Sequence, residues 1–261
     1  MARPGGVILD LDGTLVLGDR PLPGSRELLL GLEEAGVPFA ILTNNSSLSA
    51  RDHAARLARM GLPVLPERLF TSGAFAGREL ARALPGRPVY LLGTPSLAAE
   101  LAEEGVWVSE DGAEAVLVGF DTTLTYVRLA RAAALLQRGV PYFATHPDPA
   151  CPAPEGFLPD AGAILALLEK ATGRRPDRVF GKPDPAFLWH AAARLGLPRE
   201  DLLYVGDRLE VDAALAQAAG VRGALVLGGA TRPGDPRLAP YVREGLLVVE
   251  DLWALKARLL G

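Results

Sequence analysis

Short apolar runs recur along the chain, each closed by a polar or glycine-containing cluster and most followed by a stretch with helical spacing. Residues 7–9, 37–43, 89–92, 115–118, 141–145, 202–205 and 224–227 read as strands buried on both faces. The pattern predicts a helix over 25–35 closed by Gly36, and another over 50–60, preceded by Ser49 and closed by Gly61. This alternation predicts an α/β fold on a parallel sheet with right-handed crossovers. One stretch breaks the rhythm: 146–160 (HPDPACPAPEGFLPD) holds five prolines. A stiff loop beginning at a strand end suits ligand binding or a plain surface connection equally.

The polar residues at the strand ends carry the chemistry. The first strand runs into Asp10-Leu11-Asp12-Gly13-Thr14. Side chains two apart on a strand share a face, so Asp10 and Asp12 are expected to converge at its carboxyl end, where open α/β sheets bind ligands. Two carboxylates 4 Å apart repel by about 4 kcal/mol at an effective dielectric near 20. Such a pair calls for a shared proton or a hard divalent cation such as Mg2+. Asp-Gly between apolar runs is also a hairpin signal, which remains open on this segment alone. A calcium loop is excluded, because its glycine and glutamate positions hold Leu15 and Pro21.

Composition narrows the classes. A chain of 261 residues with 49% hydrophobic and 22% charged residues can bury a sizeable core as one or two globular domains. The longest apolar runs are too short to span a bilayer, and the opening MARPGG leads into a strand without an apolar leader. One cysteine, Cys151, fits a cytoplasmic protein without disulfides. The net charge of −4 argues against nucleic acid as a partner. Asparagine occurs only as Asn44 and Asn45, side by side after the second strand, and one of three lysines is Lys182 in Gly-Lys-Pro. Scarce Asn and Lys retained there point to specific tasks, while the wider bias fits thermophily or GC-rich coding alike.

Four strand-end clusters thus follow in order: Asp10 with Asp12, Thr43-Asn44-Asn45, Lys182, and Asp207 with Asp212. Together they hold what phosphoryl transfer needs: a nucleophile, a cation, a cradle of hydroxyl and amide groups, and an acid–base group. With DLDGTL at 10–15, LTNNSS at 42–47, GFDTTLTY at 119–126, FGKPDP at 180–185 and GDRLEVD at 206–212, the chain resembles the haloacid dehalogenase superfamily. The likeness is to its NagD-like and 4-nitrophenylphosphatase-like phosphatases, and it runs over nearly the whole chain.

That resemblance implies a Rossmann-like core over 1–78 and 180–261, with an inserted α/β cap over 79–179. It implies a Mg2+-dependent phosphatase of small phosphomonoesters: sugar phosphates, nucleoside monophosphates, phosphoglycolate or 4-nitrophenyl phosphate. Asp10 would be the nucleophile, Asp12 the acid and base, and Lys182 the balancing cation. Asp10, Asp207 and the Asp12 carbonyl would bind Mg2+, with Asp212 orienting its water. Thr43, Asn44 and Asn45 would hold the phosphoryl group, and His146 and Asp148 would belong to the substrate-recognising loop. The family usually carries Asn at position 146 and Gly at 160, so His146 and Asp160 leave recognition by the cap open. A homodimer through the cap is implied as well. The readings from other classes are a phosphate-storing receiver, which a carboxylate at Asp12 disfavours, and an inactive metabolite-binding protein.

Overall fold

Gly6–Leu9 forms the first strand because four consecutive residues are buried and none needs to face water. The computed structural model describes residues 3–62 and 64–261; of the leading MARPGG, Met1 and Ala2 lie outside the described residues. In chain order, the first part comprises β1 (Gly6–Leu9), β2 (Val16–Leu17), β3 (Arg20–Pro21), α1 (Ser25–Glu34), β4 (Phe39–Thr43), α2 (Ala50–Arg59) and β5 (Leu69–Thr71). The middle comprises α3 (Ser72–Ala83), β6 (Val89–Leu92), α4 (Pro95–Glu103), β7 (Ala115–Val118), α5 (Tyr126–Gln137) and β8 (Tyr142–Ala144). It continues through β9 (Ala150–Ala153), β10 (Gly156–Pro159), α6 (Ala161–Thr172) and β11 (Arg178–Val179). The last part comprises α7 (Pro185–Leu195), β12 (Leu202–Gly206), α8 (Ala214–Ala219), β13 (Arg222–Val226), α9 (Leu238–Arg243), β14 (Leu247–Val249) and α10 (Leu252–Leu260).

The chain divides into two units. The first joins residues 1–43, 54–70 and 182–261; the second joins 44–53 and 71–181. The expected boundary at 78/79 falls inside α3, a helix that packs on α4 and so stays with the second unit, as does 44–53.

In the first unit a six-stranded sheet has the order β14-β13-β12-β1-β4-β5. β1 pairs in parallel with β12 on one side and β4 on the other, Leu9 lying opposite Val205 and Ile41. That register brings the carboxyl ends of three strands together, with Asp10, Thr43 and Asp207 just at or beyond them. The chain leaves β1 in two directions across the sheet, and such a switch point opens a crevice at these ends. The second unit carries its own parallel sheet, in the order β11-β8-β7-β6. Its core is built from Tyr90, Leu92, Val116, Val118, Leu136, Tyr142 and Leu168.

Two segments differ from expectation. The hairpin reading of Asp12-Gly13 fails: amides of Leu15 and Val16 return to the Leu11 carbonyl at 2.9 and 3.1 Å, making a tight turn. The hairpin comes later, where β2 and β3 pair antiparallel around Gly18 and Asp19. The proline-rich 146–160 segment is not a plain loop, because β9 and β10 pair antiparallel within it. Pro152 and Pro159 are tolerated there because a two-stranded ribbon has edges that need no amide donor.

Candidate active site

Asp10 stands one residue beyond β1, its amide tied to the Val205 carbonyl at 2.8 Å. Thr14 in the following turn donates to Asp10 Oδ2 at 3.1 Å and approaches Asp207 Oδ1 at 3.4 Å. Asp207 follows β12 and accepts the Ala230 amide at 2.6 Å, from the loop after β13. Gly13 sits at φ 98°, and a Cβ there would come 2.5 Å from Asp207 Oδ2. Only glycine therefore lets the turn pass this close.

Lys182 is fully buried and donates to both Asp10 and Asp212 Oδ1, the latter at 2.8 Å. Asp212 is the best-satisfied carboxylate of the group. Its Oδ1 also accepts the Tyr204 hydroxyl at 2.8 Å, and its Oδ2 accepts the amides of Asp207 and Arg208 at 3.2 and 3.0 Å. With both oxygens so occupied, it suits orienting its neighbours better than leaving them.

Charge is in excess here. Burial lifts the Asp10 carboxyl to about 6, against the pull of Lys182. Burial, then the charges of Asp10 and Asp212, lift Asp207 to about 7. Burial also works against ionised Asp212, but Lys182 and Arg208 outweigh it and hold this acid below the usual carboxylate range. Burial likewise opposes the Lys182 ammonium, yet Asp10 and Asp212 hold its pKa above that of an ordinary lysine. One oxygen each from Asp10, Asp207 and Asp212 lie within 4.8 Å of one another. A set of hard oxygen donors with more negative charge than Lys182 neutralises fits Mg2+.

Asp12 does not join that group. The chain leaves the strand conformation after Leu9, so the alternation that would align it with Asp10 no longer applies. Its Oδ1 lies 3.6 Å from Arg56 Nη1 instead.

The remaining predicted residues divide between the units. Thr43 is buried at the end of β4. In the second unit, Asn44 Nδ2 donates to Asp148 Oδ2 at 3.1 Å, while its carbonyl accepts Ser72 Oγ at 2.7 Å. Asn45 braces its own loop, its Oδ1 accepting the Ser47 amide at 3.1 Å and the Ser47 hydroxyl at 2.6 Å. His146 corrects the expectation of a substrate contact. It is wholly buried, with Nε2 at 2.8 Å from Asp160 Oδ1 and Nδ1 at 2.9 Å from Thr145 Oγ1. Asp160 is the N-cap of α6, its side chain accepting the Ala161 amide. Gly181, at φ 73°, passes the same cluster, where a Cβ would meet Asn44 Oδ1 at 2.7 Å.

Sequence reasoning missed Tyr204, Arg208, Arg56 and Ala230. Two of them carried a signal: Arg208 lies within the GDRLEVD motif, and Ala230 follows the Gly228-Gly229 pair that closes a strand.

Two family models match the chain. One described as haloacid dehalogenase-like hydrolase covers residues 7–107, and one described as HAD-like hydrolase covers 179–255. A dihydroxyacetone phosphatase of Corynebacterium glutamicum is 31% identical over 94% of this chain and 90% of its own. The chain belongs to the haloacid dehalogenase superfamily.

Among solved structures, a 4-nitrophenylphosphatase from Thermotoga maritima superposes with a TM-score of 0.90 at 40% identity, covering 98% of this chain and 97% of that one. A glycerol phosphate phosphatase from Mycobacterium tuberculosis, in complex with magnesium, has a TM-score of 0.85 at 34% identity, over 99% of this chain and 79% of that one. The fold is therefore that of a superfamily core with an inserted α/β cap, and the activity class is phosphoric monoester hydrolysis with Mg2+ as the metal. Among the described residues no helix is long and apolar enough to cross a membrane.

Proposed function

We propose that the buried carboxylate cluster hydrolyses small phosphomonoesters in two displacements through Asp10. The carrying observation is the trio Asp10, Asp207 and Asp212, two of whose members, Asp10 and Asp212, share one buried ammonium, Lys182. A carboxylate oxygen of Asp10 attacks phosphorus, the ester P–O bond breaks, and the departing alkoxide takes the proton of the Asp12 carboxyl. Asp12, now ionised, then takes a proton from a water that attacks the same phosphorus. The bond to Asp10 breaks, its carboxylate is restored, and inorganic phosphate leaves.

Lys182 neutralises charge on Asp10 as the phosphate dianion approaches, a repulsion that would otherwise forbid the attack. Thr14 fixes the Asp10 rotamer through its hydroxyl. Thr43 and the amide of Asn44 hold the transferring oxygens, and the Ser72 and Asp148 contacts hold Asn44 itself. Asp10, Asp207 and the Asp12 carbonyl would hold Mg2+, which when bound withdraws charge from the phosphoryl oxygens.

The substrate class is small phosphorylated polyols and sugars, with 4-nitrophenyl phosphate as a usable probe. This follows the activities for which the relatives are named, which include a D-glycerol 3-phosphate phosphatase and acid sugar phosphatases. A cytoplasmic location and pairing through the inserted unit belong to the same proposal. Size-exclusion chromatography checks the pairing: elution as a single copy would remove it.

The deciding experiment is phosphate release from 4-nitrophenyl phosphate and a panel of small phosphomonoesters. Wild type and Asp10→Asn are compared, each with Mg2+ and with EDTA. Release by wild type alone, and only with Mg2+, is expected. Full activity in Asp10→Asn would overturn the assignment of the nucleophile.

A further inference from the structure

Arg56 has no part in the scheme above, yet its guanidinium stands beside the proton donor. It projects from the last turn of α2, and its side chain is only 13% exposed. Two of its three corners are anchored on the β2–β3 turn: Nε donates to Asp19 Oδ1 at 3.0 Å, and Nη2 donates to the Gly18 carbonyl. The third corner, Nη1, stands 3.6 Å from Asp12 Oδ1. The turn is itself tied to the segment carrying Asp12, since the Gly13 amide donates to the Val16 carbonyl at 2.8 Å and Asp12 bridges to Val16. Arg56, the hairpin and Asp12 thus form a closed frame.

The distances are unequal, 3.0 Å to Asp19 against 3.6 Å to Asp12. An arginine serving only to clamp the hairpin would be complete with Asp19 and Gly18. At 3.6 Å, Nη1 is beyond a good hydrogen bond, so it attracts the carboxylate without occupying its lone pair. A group that must give and later take a proton needs such a neighbour: fixed in place, oppositely charged, and not bonded to the working oxygen. We propose that Arg56 is a positioning residue that aims the Asp12 carboxyl at the departing ester oxygen. The inference rests on the reading of Asp12 as the proton donor.

The test uses phenyl phosphates of one shape and graded leaving ability: 4-nitrophenyl, phenyl and 4-methoxyphenyl phosphate. kcat/KM reads events through departure of the phenol and is blind to later hydrolysis of the phosphoenzyme. Arg56→Met is expected to lower kcat/KM about tenfold for phenyl and 4-methoxyphenyl phosphate, and less than about twofold for 4-nitrophenyl phosphate, which departs without help. Asp12→Asn should show the same leaving-group dependence more strongly. Adding Arg56→Met to Asp12→Asn should then cost nothing further, because the residue acts through Asp12. Asp19→Ala removes an anchor that is 87% exposed, so the fold is preserved, and a weaker version of the same pattern is expected. Equal losses on all three esters, or a full additional loss in the Asp12→Asn background, would make Arg56 a structural clamp and overturn the inference. Wild-type kcat/KM for all three esters in Asp12→Asn would instead overturn the reading of Asp12.

Discussion

Each unit of this protein buries a trio of groups able to hold a metal, and the two trios are built on opposite principles. In the first unit Asp10, Asp207 and Asp212 bring ligand atoms within 4.8 Å of one another; in the second His146, Asp148 and Asp160 do the same. The first trio is left with surplus negative charge. Lys182 serves two of its acids at once, and burial lifts Asp10 to about 6 and Asp207 to about 7. The second trio is closed by hydrogen bonds: His146 spans Asp160 and Thr145, and Asp148 accepts from Asn44. Proximity of ligand atoms is common to both, so it is not what marks the reactive centre. Carboxyls lifted by burial toward neutral pH are, because a cation bound there relieves the charge that Lys182 leaves.

The largest expected effect is on the proposed nucleophile. Asp10→Asn should lower phosphate release by about 10^4-fold or more, since no other group in the proposed scheme forms the covalent intermediate. Lys182→Met tests the charge imbalance next. It leaves Asp10 and Asp212 without their shared cation, at a cost of about 3–5 kcal/mol to the metal-free fold. Activity should fall by about 10^2–10^3-fold, with Mg2+ recovering part of the stability. A Lys182→Met protein that melts with wild type in EDTA would show that the first trio is not frustrated.

The raised acids of the first trio also set a pH dependence. A carboxyl whose folded pKa lies above its unfolded value of 3.8 binds protons more tightly when folded. Its stabilisation is complete below that unfolded value and is lost as pH rises toward about 7. For Asp10, lifted from 3.8 to about 6, the loss is about 3 kcal/mol. Glu100, which burial lifts to about 7, adds a loss of the same sign, but it lies outside the trio and is blind to Mg2+. Melting curves in EDTA and in saturating Mg2+ therefore separate the two. The Mg2+ increment should grow from about pH 5 to 7 as the ion displaces a proton. An increment independent of pH would contradict the raised acids.

Much of the fold was legible because the central strands are long, wholly apolar and closed by recognisable residues. Residues 89–92 and 115–118 form strands over just those spans, and the other predicted strands shift by one or two residues at their ends. β2, β3, β5 and β14 escaped because two or three residues cannot display a period. At the site, Asp10, Asp207, Asp212 and Lys182 could be found because each closes or opens a motif. Tyr204 and Arg56 could not. Tyr204 reads as one more apolar strand position, and its hydroxyl finds Asp212 only through the turn after β12. Arg56 reads as a solvated helix position, and only folding brings Asp12 and Asp19 to it.

The smallest expected effect is the one that most sharpens the comparison. Asp160 Oδ1 already accepts the Ala161 amide, and as a carboxylate it can only accept from His146, so the proton between them sits on Nε2. Nδ1 in turn is paired with the Thr145 hydroxyl at 2.9 Å. Neither nitrogen offers a lone pair to a metal without breaking a buried hydrogen bond. His146→Ala should consequently cost about 1–3 kcal/mol, from Asp160 left short of a donor, and leave the Mg2+ midpoint where wild type has it. The same measurement in Asp207→Asn isolates the second trio from the first. If divalent ions still raise the melting temperature of that variant, and His146→Ala abolishes the rise, then the second trio binds metal and raised carboxyls are not the criterion that separates the two. If the rise disappears with Asp207 alone, His146, Asp148 and Asp160 are scaffold, and their task is to hold Asn44 still.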